Sequence, residues 1–198
     1  MDPETIIPTP TSSWSEIRSS IIEIVRFVLT IIIIVVPIRM FVAQPFIVSG
    51  LSMYPTFDDN QYLIVDELSY YLREPERGEV VVFKYPKNPS KYFIKRIIGL
   101  PGETIRIDGQ KVTITKPNST SKVLEENYAS VTNGLGSVYK TVQLNDREYF
   151  VMGDNRDWSS DSRSWGPVDE KFIRGRAILR LFPFTSVGYL PGSITNSN

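Results

Sequence analysis

Residues 92–103 read YFIKRIIGLPGE, an apolar stretch that contains a lysine and ends in a Pro-Gly turn. Side chains of a β-strand alternate between its two faces, so if Phe93 and Ile97 face the core, Lys95 faces it too. Burial disfavours the ammonium form and lowers the pKa of the amine. This stretch therefore predicts a lysine that is neutral near operating pH. The alternative is that Lys95 reaches solvent while Arg96 or a carboxylate shares the surface.

Short runs with β-strand character surround this stretch. They lie at residues 46–48, 62–65, 79–83, 93–98, 104–107, 111–114, 148–152 and 177–182. Turn signals such as Pro101-Gly102 and Asp108-Gly109 separate them. Segments with helical periodicity are nearly absent from this part of the chain, so the sequence predicts a mainly β fold.

The composition restricts the chemistry that the chain can perform. Its 198 residues contain no His and no Cys, and 22 Lys+Arg balance 22 Asp+Glu. Without imidazole and thiol groups, Ser-His-Asp triads, Cys-His pairs and zinc-thiolate sites are excluded. The neutral balance disfavours a dedicated nucleic-acid binder. Hydrolytic chemistry would have to use hydroxyls, carboxylates, lysines or a carboxylate-bound ion.

The N-terminal part has a different character. Residues 21–38 read IIEIVRFVLTIIIIVVPI, and as a helix this run would span about 27 Å, close to the hydrocarbon thickness of a bilayer. We predict a flexible tail at residues 1–20 and a transmembrane anchor at residues 21–42. A buried helix or strand and a cleavable signal peptide are the alternatives, because Glu23 and Arg26 interrupt the run. A slight excess of arginine before the apolar run favours an N-terminus inside and a body on the extracytoplasmic side.

The remaining chain divides by composition. Residues 43–108 and 146–191 carry most of the β-type runs and are predicted to form the main, catalytic β domain. Residues 109–145 are polar and rich in Asn, Ser and Thr, which predicts a small inserted lobe. Residues 192–198 are predicted to be a C-terminal tail.

A candidate nucleophile lies in residues 49–56, which read SGLSMYPT. Gly50 allows close approach of the backbone to a substrate, and Pro55 restricts the end of the turn. In a chain without histidine, a desolvated Lys95 is the general base that best suits Ser52. A serine in a purely structural turn is the alternative.

A third stretch, residues 153–167, reads GDNRDWSSDSRSWGP. By itself it indicates a solvated turn or a carboxylate cation site. Together with SGLSMYPT and YFIKR, it resembles the motifs of type I signal peptidases, membrane-bound Ser-Lys proteases that remove signal peptides. The resemblance extends over residues 27–189, and the stretches at residues 74–79 and 175–180 look similar to cyanobacterial and plastid members.

The resemblance implies roles for individual residues. Ser52 matches the acyl-forming nucleophile, Lys95 the general base, and Ser159 the hydroxyl that orients the lysine amine. Two supporting ion pairs are implied, Arg96 with Asp154 and Asp161 with Arg163. The residues implied for the substrate pocket are Val48, Gly50, Val82, Phe93 and Ile94.

The implied fold is a Ser-Lys signal-peptidase-like β fold with one N-terminal transmembrane helix and a small inserted β lobe. The implied substrates are signal peptides of exported preproteins, bound as extended strands, with small residues at positions one and three before the cut. No cofactor and no metal are implied. The body would lie in a periplasm, at the cell exterior or in a thylakoid lumen. Some family members use a serine two residues before the nucleophile as an oxyanion donor, but Gly50 occupies that position here, so the second donor is left open.

Lipid contact is a further expectation. Phe41, Phe46, Trp158, Phe182 and Phe184 are candidates for an apolar face that enters the bilayer interface, with core packing as the alternative for at least half of them. A rival hypothesis of another class is a membrane-tethered β module without enzymatic activity, in which Lys95 and the Asp/Arg loop only stabilise the fold.

Overall fold

A computed structural model describes residues 13–37, 43–118, 120–131 and 139–194. The chain divides into an N-terminal helical unit and a β body. Each is described by itself. Phe41, one of the candidates for lipid contact, lies outside the described residues.

Helix α1 (Ser13–Pro37) contains most of the apolar run. Its large apolar side chains from Ile17 to Val35 are exposed. Among the residues that the structure describes, no helix combines the length and the apolar character needed to cross a membrane. The transmembrane anchor at residues 21–42 therefore stays a prediction.

The start of α1 corrects the predicted tail. Residues 13–20 are helical, although the sequence predicted a flexible tail over residues 1–20. Adding a residue to an existing helix costs far less than nucleating a new one, so the apolar helix continues backwards through a segment without apolar periodicity. Residues 1–12 and 38–42 lie outside the described part.

The β body consists of short strands joined by turns. In chain order the strands are β1 (Ala43–Ile47), β2 (Tyr62–Asp66), β3 (Val80–Tyr85), β4 (Asn88–Gly99), β5 (Thr104–Asp108), β6 (Lys111–Thr115), β7 (Ser121–Val123), β8 (Tyr139–Gln143), β9 (Glu148–Met152), β10 (Val168–Asp169), β11 (Ile173–Phe182) and β12 (Gly188–Tyr189). Helical turns α2 (Ser69–Leu72) and α3 (Ser162–Trp165), and 3₁₀ turns at Glu170–Phe172 and Phe184–Ser186, lie between them.

The larger sheet is antiparallel, in the order β1-β2-β11-β3-β4-β9-β10, with β12 paired to β11. Its central strand β3 is buried over Val80–Phe83, as expected for a strand covered on both faces. Strand β4 is exposed at its start and buried from Lys95 onwards. The lysine of this strand therefore lies where the strand enters the core.

The smaller sheet has the order β7-β6-β5-β8. Alternate residues of β5 and β6 are buried, as expected for strands with one covered face. Their side chains pack against the end of the larger sheet in one apolar cluster of Ile98, Ile105, Ile107, Val112, Ile114, Leu144, Phe150 and Met152.

This sheet corresponds to the predicted inserted lobe, but it begins at Thr104 rather than at residue 109. The alternating pattern of β5 suits either sheet, and its pairing with β6 on one side and β8 on the other places it in the smaller one. Strand β8 was missed because its side chains alternate only between exposed and half-buried. A polar strand of this kind has no hydrophobic period to detect.

Candidate active site

Ser52 lies in the loop that joins β1 to β2. The backbone N–H of Gly50, at φ +89°, donates to Asp59 Oδ1 at 2.7 Å. Met53 and Phe57 are completely buried, and the N–H of Phe57 donates to the carbonyl of Met53 at 2.9 Å. Met53 and Phe57 thus attach the loop to the core, and the carboxylate of Asp59 holds the backbone at Gly50. Ser52, which lies between Gly50 and Met53, is half-buried.

Lys95 reaches Ser52 from β4. Its Nζ lies 2.7 Å from Oγ of Ser52 and donates to the carbonyl of Ile94 at 2.9 Å. Only 4% of Lys95 is exposed, so the alternative in which its amine reaches solvent is wrong. Burial lowers the pKa of Lys95 to about 8, although the negative charges of Asp161 and Asp154 oppose this shift. The pair consists of a hydroxyl and an amine that loses its proton easily.

A cleft of about 530 Å³ opens in front of this pair. Val48, Gly50, Val82, Phe93 and Ile94, the residues predicted for the substrate pocket, all line it together with Ser52 and Lys95. Most of these side chains are apolar, so the walls of the cleft suit apolar groups. Trp158 and Ser160 also line the cleft and were not predicted to do so.

One edge of β4 borders the cleft. The strand pairs with β3 along Asn88–Arg96, but its pairing with β9 begins only at Arg96. Over residues 92–95, no second described strand is therefore paired with β4. Such an edge offers backbone donors and acceptors to an extended peptide.

Arg96 is the residue after the lysine, and it is completely buried. Its Nε donates to Asp154 Oδ1 at 2.8 Å, and its guanidinium lies 4.2 Å from the ring centroid of Tyr128. Asp154 also accepts from Thr56 at 2.5 Å. Thr56 belongs to the loop of Ser52. The predicted ion pair is present, and it connects β4 to the loop that holds the hydroxyl.

Asp161 and Arg163 form the second predicted ion pair, at 2.8 Å. Asp161 also accepts from the N–H of Gly153 at 3.0 Å. Burial opposes the charge of Asp161, but these two partners outweigh it and hold the pKa of the carboxyl below its usual value. A carboxylate that stays charged beside Lys95 limits how far burial lowers the pKa of the amine.

Ser159 differs from its predicted role. Its Oγ is buried, and it is not among the hydrogen-bond partners of the Lys95 amine. A Cβ added at Gly153 would come 2.2 Å from that Oγ and 2.4 Å from the carbonyl oxygen of Ser52, so the three residues are tightly packed. The second contact of the Lys95 amine is the carbonyl of Ile94 instead. A backbone acceptor leaves no signal in the sequence, which is why it was missed.

We expect Asp154→Ala to destabilise the fold strongly. It leaves the guanidinium of Arg96 buried without its carboxylate, and breaking a buried pair in this way costs about 3–5 kcal/mol. Asp169→Ala is the matched control, because it removes a more exposed pair with Lys171 and should cost under about 1 kcal/mol. Urea unfolding measures both. Equal losses of unfolding free energy would contradict the assignment of Arg96 and Asp154 as the support of the site.

Comparison with known proteins identifies the family. The family model described as signal peptidase, peptidase S26, matches residues 21–182. The chain is 38% identical to a probable signal peptidase I-2 of Synechocystis sp., over 91% of this chain and 79% of the relative. It is 35% identical to a signal peptidase I of Leptolyngbya laminosa, over 95% of this chain and 93% of the relative. A crystal structure of a signal peptidase I from Enterococcus faecalis V583 is similar with 30% identity and a TM-score of 0.44, covering 52% of this chain and 97% of that one. The chain therefore belongs to the signal peptidase family, peptidase S26.

Proposed function

We propose that this signal peptidase family member cuts signal peptides from exported preproteins with Ser52 as nucleophile and Lys95 as general base. The observation that supports these roles is the 2.7 Å contact between the Ser52 hydroxyl and the amine of a nearly inaccessible lysine. A buried amine with a pKa of about 8 is partly neutral at physiological pH, so it can accept the serine proton. The rival hypothesis of a non-enzymatic β module is not supported by the family.

The reaction would proceed in two steps. Oγ of Ser52 attacks the scissile carbonyl while Lys95 Nζ takes its proton, and a tetrahedral oxyanion forms. Lys95 then returns the proton to the leaving amine, which departs as the N-terminus of the mature protein, and the signal peptide remains as an ester on Ser52. In the second step Lys95 Nζ takes a proton from a water molecule that attacks the ester carbonyl. It returns this proton to Oγ of Ser52 as the C–O bond breaks and the signal peptide leaves with a free carboxyl group.

The oxyanion requires donors that already point to the place where its charge develops. We assign the backbone N–H of Ser52 as one donor. The N–H of Gly50 is not available in this conformation, because it donates to Asp59. Position 50 has no side chain, so the donor that some relatives have two residues before the nucleophile is absent from this chain.

The substrate would lie in the cleft as an extended strand along the free edge of β4. Val48, Val82, Phe93 and Ile94 form shallow apolar walls there. Alternate residues of a bound strand point to the same side, so positions one and three before the cut would enter neighbouring pockets. Because these walls are shallow, we propose that small side chains such as Ala are preferred at both positions.

We also propose that α1 anchors the enzyme in a membrane with the N-terminus inside and the β body on the extracytoplasmic side. The exposed apolar side chains of the helix support this, because a helix with exposed Ile, Val, Leu and Phe is unfavourable in water. Signal peptides are themselves apolar segments, so an anchored enzyme and its substrates would be located in the same bilayer.

The catalytic assignment is tested by Ser52→Ala and Lys95→Met in the full chain. Both variants should fold and lose more than about 10³-fold of the rate at which a labelled preprotein is cut in detergent. Below pH 8 the buried ammonium costs folding free energy, so Lys95→Met should be at least as stable as the parent in thermal unfolding at pH 7. If either variant kept the parent rate, the assigned pair would be abandoned.

The pH dependence provides an independent test. Only the neutral amine accepts a proton, so the rate should rise about tenfold per pH unit well below the pKa of about 8 and level off above it. The charge of Asp161 raises the pKa of Lys95, so Asp161→Asn should move the midpoint to lower pH. A distant charge change, Lys111→Gln, serves as the control and should leave the midpoint in place. A midpoint near 10.5 would indicate a lysine that is not desolvated.

Membrane anchoring is tested with vesicles prepared from cells that express the full chain. The parent should remain in the membrane pellet after alkaline extraction, and external protease should digest its body only when the extracytoplasmic face is outward. Ile31→Asp with Ile34→Asp should release the chain, because carboxylates at a helix centre are costly in hydrocarbon. The matched variant Ile31→Leu with Ile34→Leu should behave as the parent does. Release of the parent itself would contradict the anchor.

A further inference from the structure

Trp158 lies at the cleft with most of its side chain uncovered. It is 73% exposed and lines the cleft together with Ser52 and Lys95. Tyr71 and Tyr139 of the β body are similarly exposed but do not line the cleft. A large flat ring offers apolar contact area at a low cost in conformational entropy, because only two torsions have to be fixed. The ring is therefore placed to contact a substrate that occupies the cleft.

The loop at residues 153–160, which carries Trp158, lies beside the nucleophile. Strand β9 pairs with the buried end of β4, and the loop follows β9 directly. A Cβ added at Gly153 would collide with the carbonyl of Ser52 and with the side chain of Ser159, so these three residues are tightly packed. The residue that precedes Ser159 is Trp158. The start of the loop thus fixes the position of the ring relative to Ser52.

The same loop lies where a bound substrate would continue beyond the cut. The proposed pockets for positions one and three before the cut lie along the free edge of β4, at Phe93 and Ile94. Lys95 ends that edge and contacts the nucleophile, so the scissile carbonyl would lie beside it. The residues after the cut cannot continue along β4, because β9 is paired with it from Arg96 onwards. They would have to leave the cleft across the loop and past Trp158.

We propose that Trp158 contacts the first two residues of the mature protein and favours an apolar or aromatic side chain there. The ring covers such a side chain on one face, which removes apolar area of both groups from water. A polar side chain of the same size gains less from this contact, because it loses hydration. The inference rests on the proposed cleavage by Ser52 and Lys95, and it adds a preference after the cut to the small residues expected before it.

Contact of the ring with lipid is the alternative, since tryptophan is common at bilayer interfaces. The position of Trp158 in one cleft with Ser52 and Lys95 favours the substrate. The two contacts also differ in their effect on rates. Contact with lipid would influence the cleavage of every preprotein equally. Contact with the mature residues changes the ratio of rates between preproteins that differ only at those residues, so this ratio is the quantity to measure.

The experiment uses the full chain in detergent and pairs of preproteins that share one signal peptide. In each pair, one of the first two mature positions carries Leu in one member and Asn, which is polar and of similar size, in the other. The value of kcat/KM is measured for both members with the parent, Trp158→Ala and Trp158→Phe. Tyr139→Ala is the matched control, because it removes a similarly exposed ring from the smaller sheet.

In at least one pair, the parent should cut the Leu member with a kcat/KM about 5- to 10-fold higher, as expected from partial burial of one Leu side chain. Trp158→Ala should bring this ratio close to one by slowing the Leu member. Trp158→Phe should keep most of the ratio, because it retains an aromatic ring, and Tyr139→Ala should leave it unchanged. Since the ring of Trp158 is exposed, thermal unfolding should show little loss of stability in either variant.

A parent that cuts both members of every pair equally well would overturn the proposal, and so would a preference for Leu that survives in Trp158→Ala. An equal loss of rate on both members in Trp158→Ala would also overturn it and would indicate contact with lipid or a role in the fold. In all these outcomes the parent cuts preproteins, so the assignment of Ser52 and Lys95 is untouched. A parent that cuts neither member would contradict the proposed function itself, and this inference with it.

Discussion

The removal of one amine from water is the constraint on which the site depends. Lys95 is stable in a nearly inaccessible position only because β4 carries it there and a hydroxyl and a carbonyl receive its hydrogen bonds. Two carboxylates oppose the loss of its charge, so burial brings the pKa to about 8 and no further. A more exposed amine would stay protonated near neutral pH, and an equally buried amine without nearby carboxylates would bind a proton more weakly than the proposed reaction requires.

Arg96, the residue after Lys95, explains why the contact between Lys95 and Ser52 keeps its geometry. Successive residues of a strand face opposite sides, so Lys95 faces the cleft while Arg96 enters the core. There Asp154 and the carbonyl of Gly78 receive the guanidinium, and Thr56 extends the network to the loop of Ser52. One pair of adjacent cations thus supplies both the proposed base, Lys95, and the ion pair of Arg96 that supports its position beside Ser52.

Much of the fold and of the candidate site was predictable from local sequence patterns. The strands around Lys95, the turns at Gly102 and Gly109, the pocket residues and both ion pairs follow from alternation, turn chemistry and the resemblance to a known family. Contacts without such a pattern were missed: the bond between Asp59 and Gly50, the carbonyl of Ile94 and the position of Trp158 at the cleft. Ser159 received a role from the resemblance, yet its hydroxyl lies close to Gly153 and is not among the hydrogen-bond partners of the Lys95 amine.

By itself, the sequence determined the class of chemistry, because a chain without histidine and cysteine has few groups that can activate a serine. It also determined the strands that have a hydrophobic period, since that pattern is local. Only the tertiary structure decided which distant partners meet: the 2.7 Å contact joins residues that are 43 positions apart, and β5 pairs on one side with β8, a strand more than 30 residues later. Local propensity depends on neighbouring residues, so it does not indicate which distant segments pair. Pairing over such separations is set by the packing of the whole β body.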